Sequence, residues 1–154
     1  MPETNTDNLV KILFRFYSDL LEEETVETMW ASIVDELKGF YKLDNIPFYV
    51  PGVASDDIVF AEYDEYEERL TYRKTIEHSG NSTVQVVILK NNVDANDIRK
   101  LFTDLGCESE KVNDVLFSME IPANISYTPA KTKLEELKGT GVIDYAEPCL
   151  LHEY

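Results

Sequence analysis

The chain reads as an α+β protein built in two halves, a small bent sheet or SH3-like barrel over residues 9–80 and a ferredoxin-like βαββαβ arrangement over 81–154. Two observations predict this. Before residue 80 apolar side chains recur with a period of two between closely spaced turns, the grammar of short strands in a bent sheet or barrel. After it, apolar strand-like runs alternate with helical stripes in the order βαββαβ. The join falls in the loop His78-Ser79-Gly80-Asn81-Ser82, and residues 1–8 are a polar tail expected to be flexible.

In the first half, Val10, Ile12, Phe14 and Phe16 alternate with Lys11, Leu13, Arg15 and Tyr17, so one face is apolar. Glu22 to Glu24 breaks the run. Val26 to Val34 resumes β-rich character around Trp30, with a helix over Glu27–Leu37 as the competing reading. The neighbours Met29, Ala31, Ile33 and Val34 make Trp30 an expected core residue. Phe40 to Leu43 is a short strand ended by Asp44-Asn45-Ile46-Pro47. Gly52, beside Pro51, marks the loop that leads to Asp56 and Asp57. Ile58 to Tyr63 and Leu70 to His78 then form a hairpin around an acidic run.

In the second half, Val84 to Leu89 is apolar on both faces, as a central strand requires. Asp94 caps a helix striped by Ile98, Leu101, Phe102 and Leu105, and Gly106 stops it. Glu108 to Val112 is short and charged, suited to an edge, and Asn113-Asp114 turns the chain into Val115 to Ile121. A second helix opens with Thr128 at the cap and Pro129 in the first turn, where a missing N–H costs nothing. Its stripe is Ala130, Leu134 and Leu137, and Val142 to Ala146 is the last strand.

Charge narrows the partners. Fourteen basic and thirty acidic side chains give a net charge of −16, with 7 basic and 18 acidic groups up to residue 80 and 7 and 12 beyond it. Such a polyanion is repelled by phosphate backbones and anionic lipid surfaces, so nucleic acid and membrane are not expected partners. No apolar run approaches the roughly 20 residues that cross a bilayer. The start lacks the pattern of a signal peptide, and the expected location is the cytoplasm. Cys107 and Cys149 are expected to be reduced thiols.

Candidates for chemistry are weak. His78 and His152 are far apart in sequence, and Asp56-Asp57 lacks the cadence of a calcium loop, so neither a metal nor another cofactor is expected. His78 and Ser79 are neighbours, and adjacent side chains on a strand point to opposite faces, so they make no dyad. Ser79-Gly80-Asn81-Ser82 reads as a turn rather than an anion nest. The run Glu62, Tyr63, Asp64, Glu65, Tyr66, Glu67, Glu68 interleaves carboxylates with tyrosines. It is either a solvated turn or, with Asp56 and Asp57, an acidic face toward a cationic protein.

Three blocks carry a resemblance: Val26-Glu27-Thr28-Met29-Trp30-Ala31, then Tyr41-Lys42-Leu43-Asp44-Asn45-Ile46-Pro47-Phe48, then Gly52 to Val59. Together they resemble an uncharacterised bacterial family of small domains of unknown function with a V-E-x-x-W…L-D-N-I-P-F…G-D-x-V pattern. Here Ser55-Asp56 stands where that pattern has Gly-Asp. The resemblance brings no catalytic residues. Its implied context is that of small acidic proteins similar to immunity proteins encoded beside toxins. The expected function is therefore a non-enzymatic, immunity or antitoxin-like inhibitor of a basic toxin, and the alternative is a small-molecule-binding regulatory domain.

Overall fold

The computed structural model describes residues 8–154, which divide into two compact units between Ser79 and Gly80. The tail expected over 1–8 lies outside the described residues except for Asn8. Nine strands in two sheets and two helices make a mixed α+β chain among those residues.

The first unit holds β1 (Leu9–Ser18), β2 (Glu23–Asp35), β3 (Phe40–Leu43), β4 (Ile58–Asp64) and β5 (Arg69–Glu77). They pair in chain order, and β1 meets β5 in parallel at Leu13 and Thr71 to close a barrel. Closure leaves these strands without a free edge and gives the period-two residues an inside. Val10, Ile12, Phe14, Met29, Ala31, Leu43, Val59 and Ala61 fill it, each at most 2 % exposed. The rings of Phe14 and Tyr72 stack at 4.6 Å.

Residues 27–35 take the strand reading and not the helix. β2 pairs with β1 continuously from Leu9↔Ser32 to Ser18↔Glu23, so its backbone groups are bonded across the hairpin. The hairpin turn ends at Glu22, and Glu23 and Glu24 already belong to β2. That register corrects one expectation. With Met29 and Ala31 pointing inward, Trp30 must point outward; it is only half-buried, opposite Lys11, whose ammonium lies 5.0 Å from the ring centroid. Its apolar neighbours sit at the opposite parity or near the strand end, where Ile33 and Val34 are themselves exposed.

The second unit holds β6 (Ser82–Ile88), α1 (Ala95–Thr103), β7 (Glu108–Lys111), β8 (Leu116–Ile121), α2 (Thr128–Gly139) and β9 (Ile143–Cys149). Its sheet runs β7-β8-β6-β9 with every neighbouring pair antiparallel. The apolar β6 and β8 are central, and the charged β7 is an edge. One sheet face (Val84, Val86, Ile88, Phe117, Met119, Ile121) joins Ala95, Ile98, Phe102, Ala130 and Leu134 of the helices in a single core.

Two helix details differ from expectation. Asp94 does cap α1, accepting the Asn96 N–H at 2.8 Å, but its buried face is Ala95, Ile98 and Phe102. Leu101 sits at the rim of that stripe, Leu105 lies beyond the helix end, and both are exposed. In α2 the cap position is Tyr127 and not Thr128; the Ser126 hydroxyl accepts the Thr128 N–H at 3.2 Å, and Pro129 occupies the first turn as anticipated.

Candidate functional site

The acidic run forms the turn between β4 and β5, where Asp64 and Arg69 are the last paired residues. Asp64 builds it. Its Oδ1 accepts the backbone N–H groups of Tyr66 (2.8 Å) and Glu67 (2.9 Å), and its carbonyl accepts that of Glu68 (2.8 Å). Side-chain acceptance of this kind is the reason aspartate initiates turns. Glu68 completes the reversal in the left-handed region at φ 56°.

Two guanidinium groups then answer three of the five carboxylates. Arg73 donates from Nε to Glu62 Oε1 at 3.0 Å and from Nη2 to Asp64 Oδ2 at 2.9 Å. Arg15, on β1, donates from Nε and Nη2 to the two oxygens of Glu67 at 2.8 and 3.1 Å. The Glu67 N–H and then Arg73 hold the Asp64 carboxyl below the usual aspartate range, and Arg15 does the same for Glu67. Exposed pairs like these add little stability, but two-point geometry orients what it holds.

Glu65 and Glu68 remain, exposed and outside any ion pair among the described residues, with Tyr66 at 98 % and Tyr63 at 51 % exposure. The turn therefore sorts its own acid. Glu62, Asp64 and Glu67 shape it, while Glu65, Glu68 and the two tyrosines face solvent.

Asp56 and Asp57 separate sharply. Asp56 is exposed, in the left-handed region at φ 68°, with Lys42 Nζ 3.9 Å away. Asp57 is wholly buried; its Oδ2 accepts the Ala54 N–H at 3.0 Å, its Oδ1 accepts the Ser79 N–H at 2.8 Å, and His78 Nδ1 lies 3.4 Å from it. Asp57 is a clamp on two loops and presents nothing to a partner.

The blocks that carried the resemblance touch one another. The Glu27 carboxylate accepts three consecutive backbone N–H groups, from Phe48 (2.7 Å), Tyr49 (2.9 Å) and Val50 (3.0 Å). Asn45 Oδ1 accepts the Trp30 N–H at 2.8 Å, and the Trp30 carbonyl accepts the Asp44 N–H at 2.8 Å. The V-E-x-x-W and L-D-N-I-P-F segments thus form one latch, in which Glu27 satisfies loop backbone that has no strand partner and Asn45 ties the loop to β2 at Trp30.

Two constellations in the second unit escape sequence reasoning because their members are distant in the chain. Ser82 Oγ lies 2.6 Å from His152 Nδ1, while His152 Nε2 lies 2.8 Å from the Pro122 carbonyl. Ser82 is fully buried and its oxygen accepts the N–H groups of Leu151 at 2.8 Å and His152 at 3.2 Å, so it ties down residues 151 and 152. Around Lys131, the ammonium reaches Glu147 Oε2 at 3.0 Å and lies 4.9 Å from the Tyr145 ring and 4.5 Å from that of Tyr154. The buried Tyr127 hydroxyl donates to the same Glu147 oxygen at 2.6 Å. Burial and that carboxylate push the Tyr127 hydroxyl far above the usual phenol range, so it acts as a hydrogen-bond donor and not as a base.

No helix is long and apolar enough to cross a membrane, and no group of three or more His, Cys, Asp or Glu side chains could hold a metal ion among the described residues. A groove of about 480 Å³ in the second unit lies between the β6–α1 loop and the β7–β8 turn, with Lys90, Asn92, Asn96 and Lys111 in its lining.

Comparison with known proteins adds family and fold. The model of a domain of unknown function (DUF4265) matches residues 27–145. The chain is similar to the crystal structure of a hypothetical protein from Neisseria gonorrhoeae, at 24% identity and a TM-score of 0.78, covering 91% of this chain and 94% of that one. No curated protein matches.

Proposed function

The chain belongs to this family of domains of unknown function, and from that premise we propose that it is a non-catalytic binding module of the immunity or antitoxin-like kind, acting in the cytoplasm on a basic protein partner such as a toxin. The observation that carries the reading is the β4–β5 turn. Arg15 and Arg73 hold Glu62, Asp64 and Glu67 in place, so Glu65, Glu68, Tyr63 and Tyr66 project from a preformed surface. Carboxylates steer a cationic partner, and tyrosines supply rigid contact area at small entropic cost. A net charge of −16 supports the same direction, since steered association reaches about 10⁸ M⁻¹s⁻¹ at low salt. Asp57 drops out of this surface, and Asp56 stays as an outlying carboxylate.

Within the same reading the first unit is an SH3-like barrel and the second a ferredoxin-like layer. Five strands paired in chain order support the former. The order β7-β8-β6-β9, with a helix between β6 and β7 and another between β8 and β9, supports the latter.

The test measures association kinetics against salt with whichever basic protein copurifies, for the wild type, for Glu65→Lys with Glu68→Lys, and for Tyr66→Ser. The charge variant should associate more slowly with a flatter salt dependence, and the tyrosine variant should dissociate faster. Unchanged rates in both would remove the turn from the interface. The second reading, a small-molecule-binding regulatory domain, draws on the 480 Å³ groove of the second unit. A metabolite that copurifies and raises the melting temperature would favour it.

A further inference from the structure

Next to the acidic turn the barrel carries a groove of about 290 Å³ between the β2–β3 turn and the β4–β5 hairpin. Its walls are Leu37, Gly39, Tyr41, Phe60, Tyr63 and Leu70, with Glu36 and Glu62 also in the lining. Leu37 is 100 % exposed, a large apolar side chain that folding leaves entirely in water.

The turn that displays Leu37 is held rigidly. Asp35 Oδ1 accepts the Lys38 N–H at 3.1 Å, the Glu36 carbonyl accepts the Gly39 N–H at 3.2 Å, and the Gly39 carbonyl accepts the Ala61 N–H at 3.0 Å. Gly39 sits at φ +75°, and a Cβ there would meet the Ala61 carbonyl oxygen at 2.8 Å, so only glycine lets the turn lie this close to β4. The backbone at Leu37 is therefore held in place, and a partner meeting it has little backbone ordering entropy to overcome. The one lysine of the lining, Lys38, has its ammonium 6.0 Å from the Phe40 ring centroid, stacked on a ring outside the groove lining.

We infer that this groove receives an apolar or aromatic side chain of the partner, flanked on the partner's chain by lysine or arginine. The apolar walls take the anchor, and Glu36 and the solvent-facing Glu65 and Glu68 of the neighbouring turn take the flanking cations. The inference rests on the basic-partner reading above and names the contact that partner would make.

The experiment titrates the full isotope-labelled chain with capped tripeptides, following backbone amides by NMR at about 150 mM salt. The probes are Lys-Trp-Lys, Lys-Ala-Lys and Glu-Trp-Glu. Lys-Trp-Lys should shift the amides of Lys38, Gly39, Ala61 and Tyr63, and Leu37→Ser should weaken that response about tenfold. Because Leu37 is fully exposed, its replacement leaves the fold intact. Lys-Ala-Lys and Glu-Trp-Glu should leave those amides in place at the same concentration. An equal response to Glu-Trp-Glu, or a Lys-Trp-Lys response indifferent to Leu37→Ser, would overturn the inference. The two readings fail separately. Shifts confined to residues 64–68 would discard the groove and keep the acidic turn, whereas silence at both sites even at about 20 mM salt would discard both.

Discussion

Glu27 and Phe48, 21 residues apart, are joined by a 2.7 Å hydrogen bond from the Phe48 N–H to the Glu27 carboxylate, the first of three consecutive amides that this one side chain satisfies. The segment from Phe48 to Val50 lies outside every strand, so the carboxylate replaces a sheet partner for it. Glu27 is in this respect a folding device. Glu27→Ala should lower stability by about 2–3 kcal/mol, since three amide donors lose a charged acceptor. Glu27→Gln, which keeps one acceptor oxygen, should fall between. Urea unfolding of the three proteins checks the order, and an unchanged midpoint for the alanine variant would refute it.

Asp57 is buried where sequence placed it on a binding face. Asp57→Ala should destabilise the first unit by about 3 kcal/mol, because the Ala54 and Ser79 N–H groups lose their acceptor inside the protein. Hydrogen exchange should quicken at those two amides first. A stable variant that had lost only partner binding would contradict the clamp.

Trp30 faces outward. Trp30→Ala should cost about 1 kcal/mol, well under the roughly 3–5 kcal/mol of a fully buried aromatic, because little cavity forms at a half-buried site. Thermal melts decide this, and a loss above about 3 kcal/mol would restore the core assignment.

The acidic turn should respond to pH. Asp64 and Glu67 have carboxyl groups lowered in the folded state from ordinary values of 3.8 and 4.5. Their contribution is complete above those values and is lost as pH falls through the lower folded ones. Stability should therefore decline below about pH 4.5, and Arg15→Gln should make that decline shallower by removing the partner of Glu67. Urea midpoints from pH 7 to pH 2.5 test it. An Arg15→Gln curve parallel to the wild type would mean that the pair does not couple to folding.

Much was legible because it is local. Alternation at Val10, Ile12 and Phe14, the cap at Asp94, the stop at Gly106, the charged edge of Glu108 to Lys111 and the hairpin around Glu62–Glu68 depend on residues within a few positions of each other. Backbone sterics and pattern determine such features wherever the chain lies. One partner of the turn was within reach: the register Glu62↔Thr71 places Arg73 diagonally across the hairpin, at a spacing where long side chains meet.

What the sequence by itself determined, then, is the succession of strands and helices, the acidic balance and the kinship with the family. The tertiary structure alone decided which carboxylates are available. Asp57 and Asp56 are adjacent in sequence, yet one is sealed in a loop clamp and the other is exposed. Glu67 is held by Arg15, 52 positions away, while Glu65 and Glu68 beside it are not. The physical reason is that a carboxylate's role depends on the donors within about 3 Å of it. Barrel closure and loop docking bring those donors from segments whose separation along the chain says nothing about their distance in space.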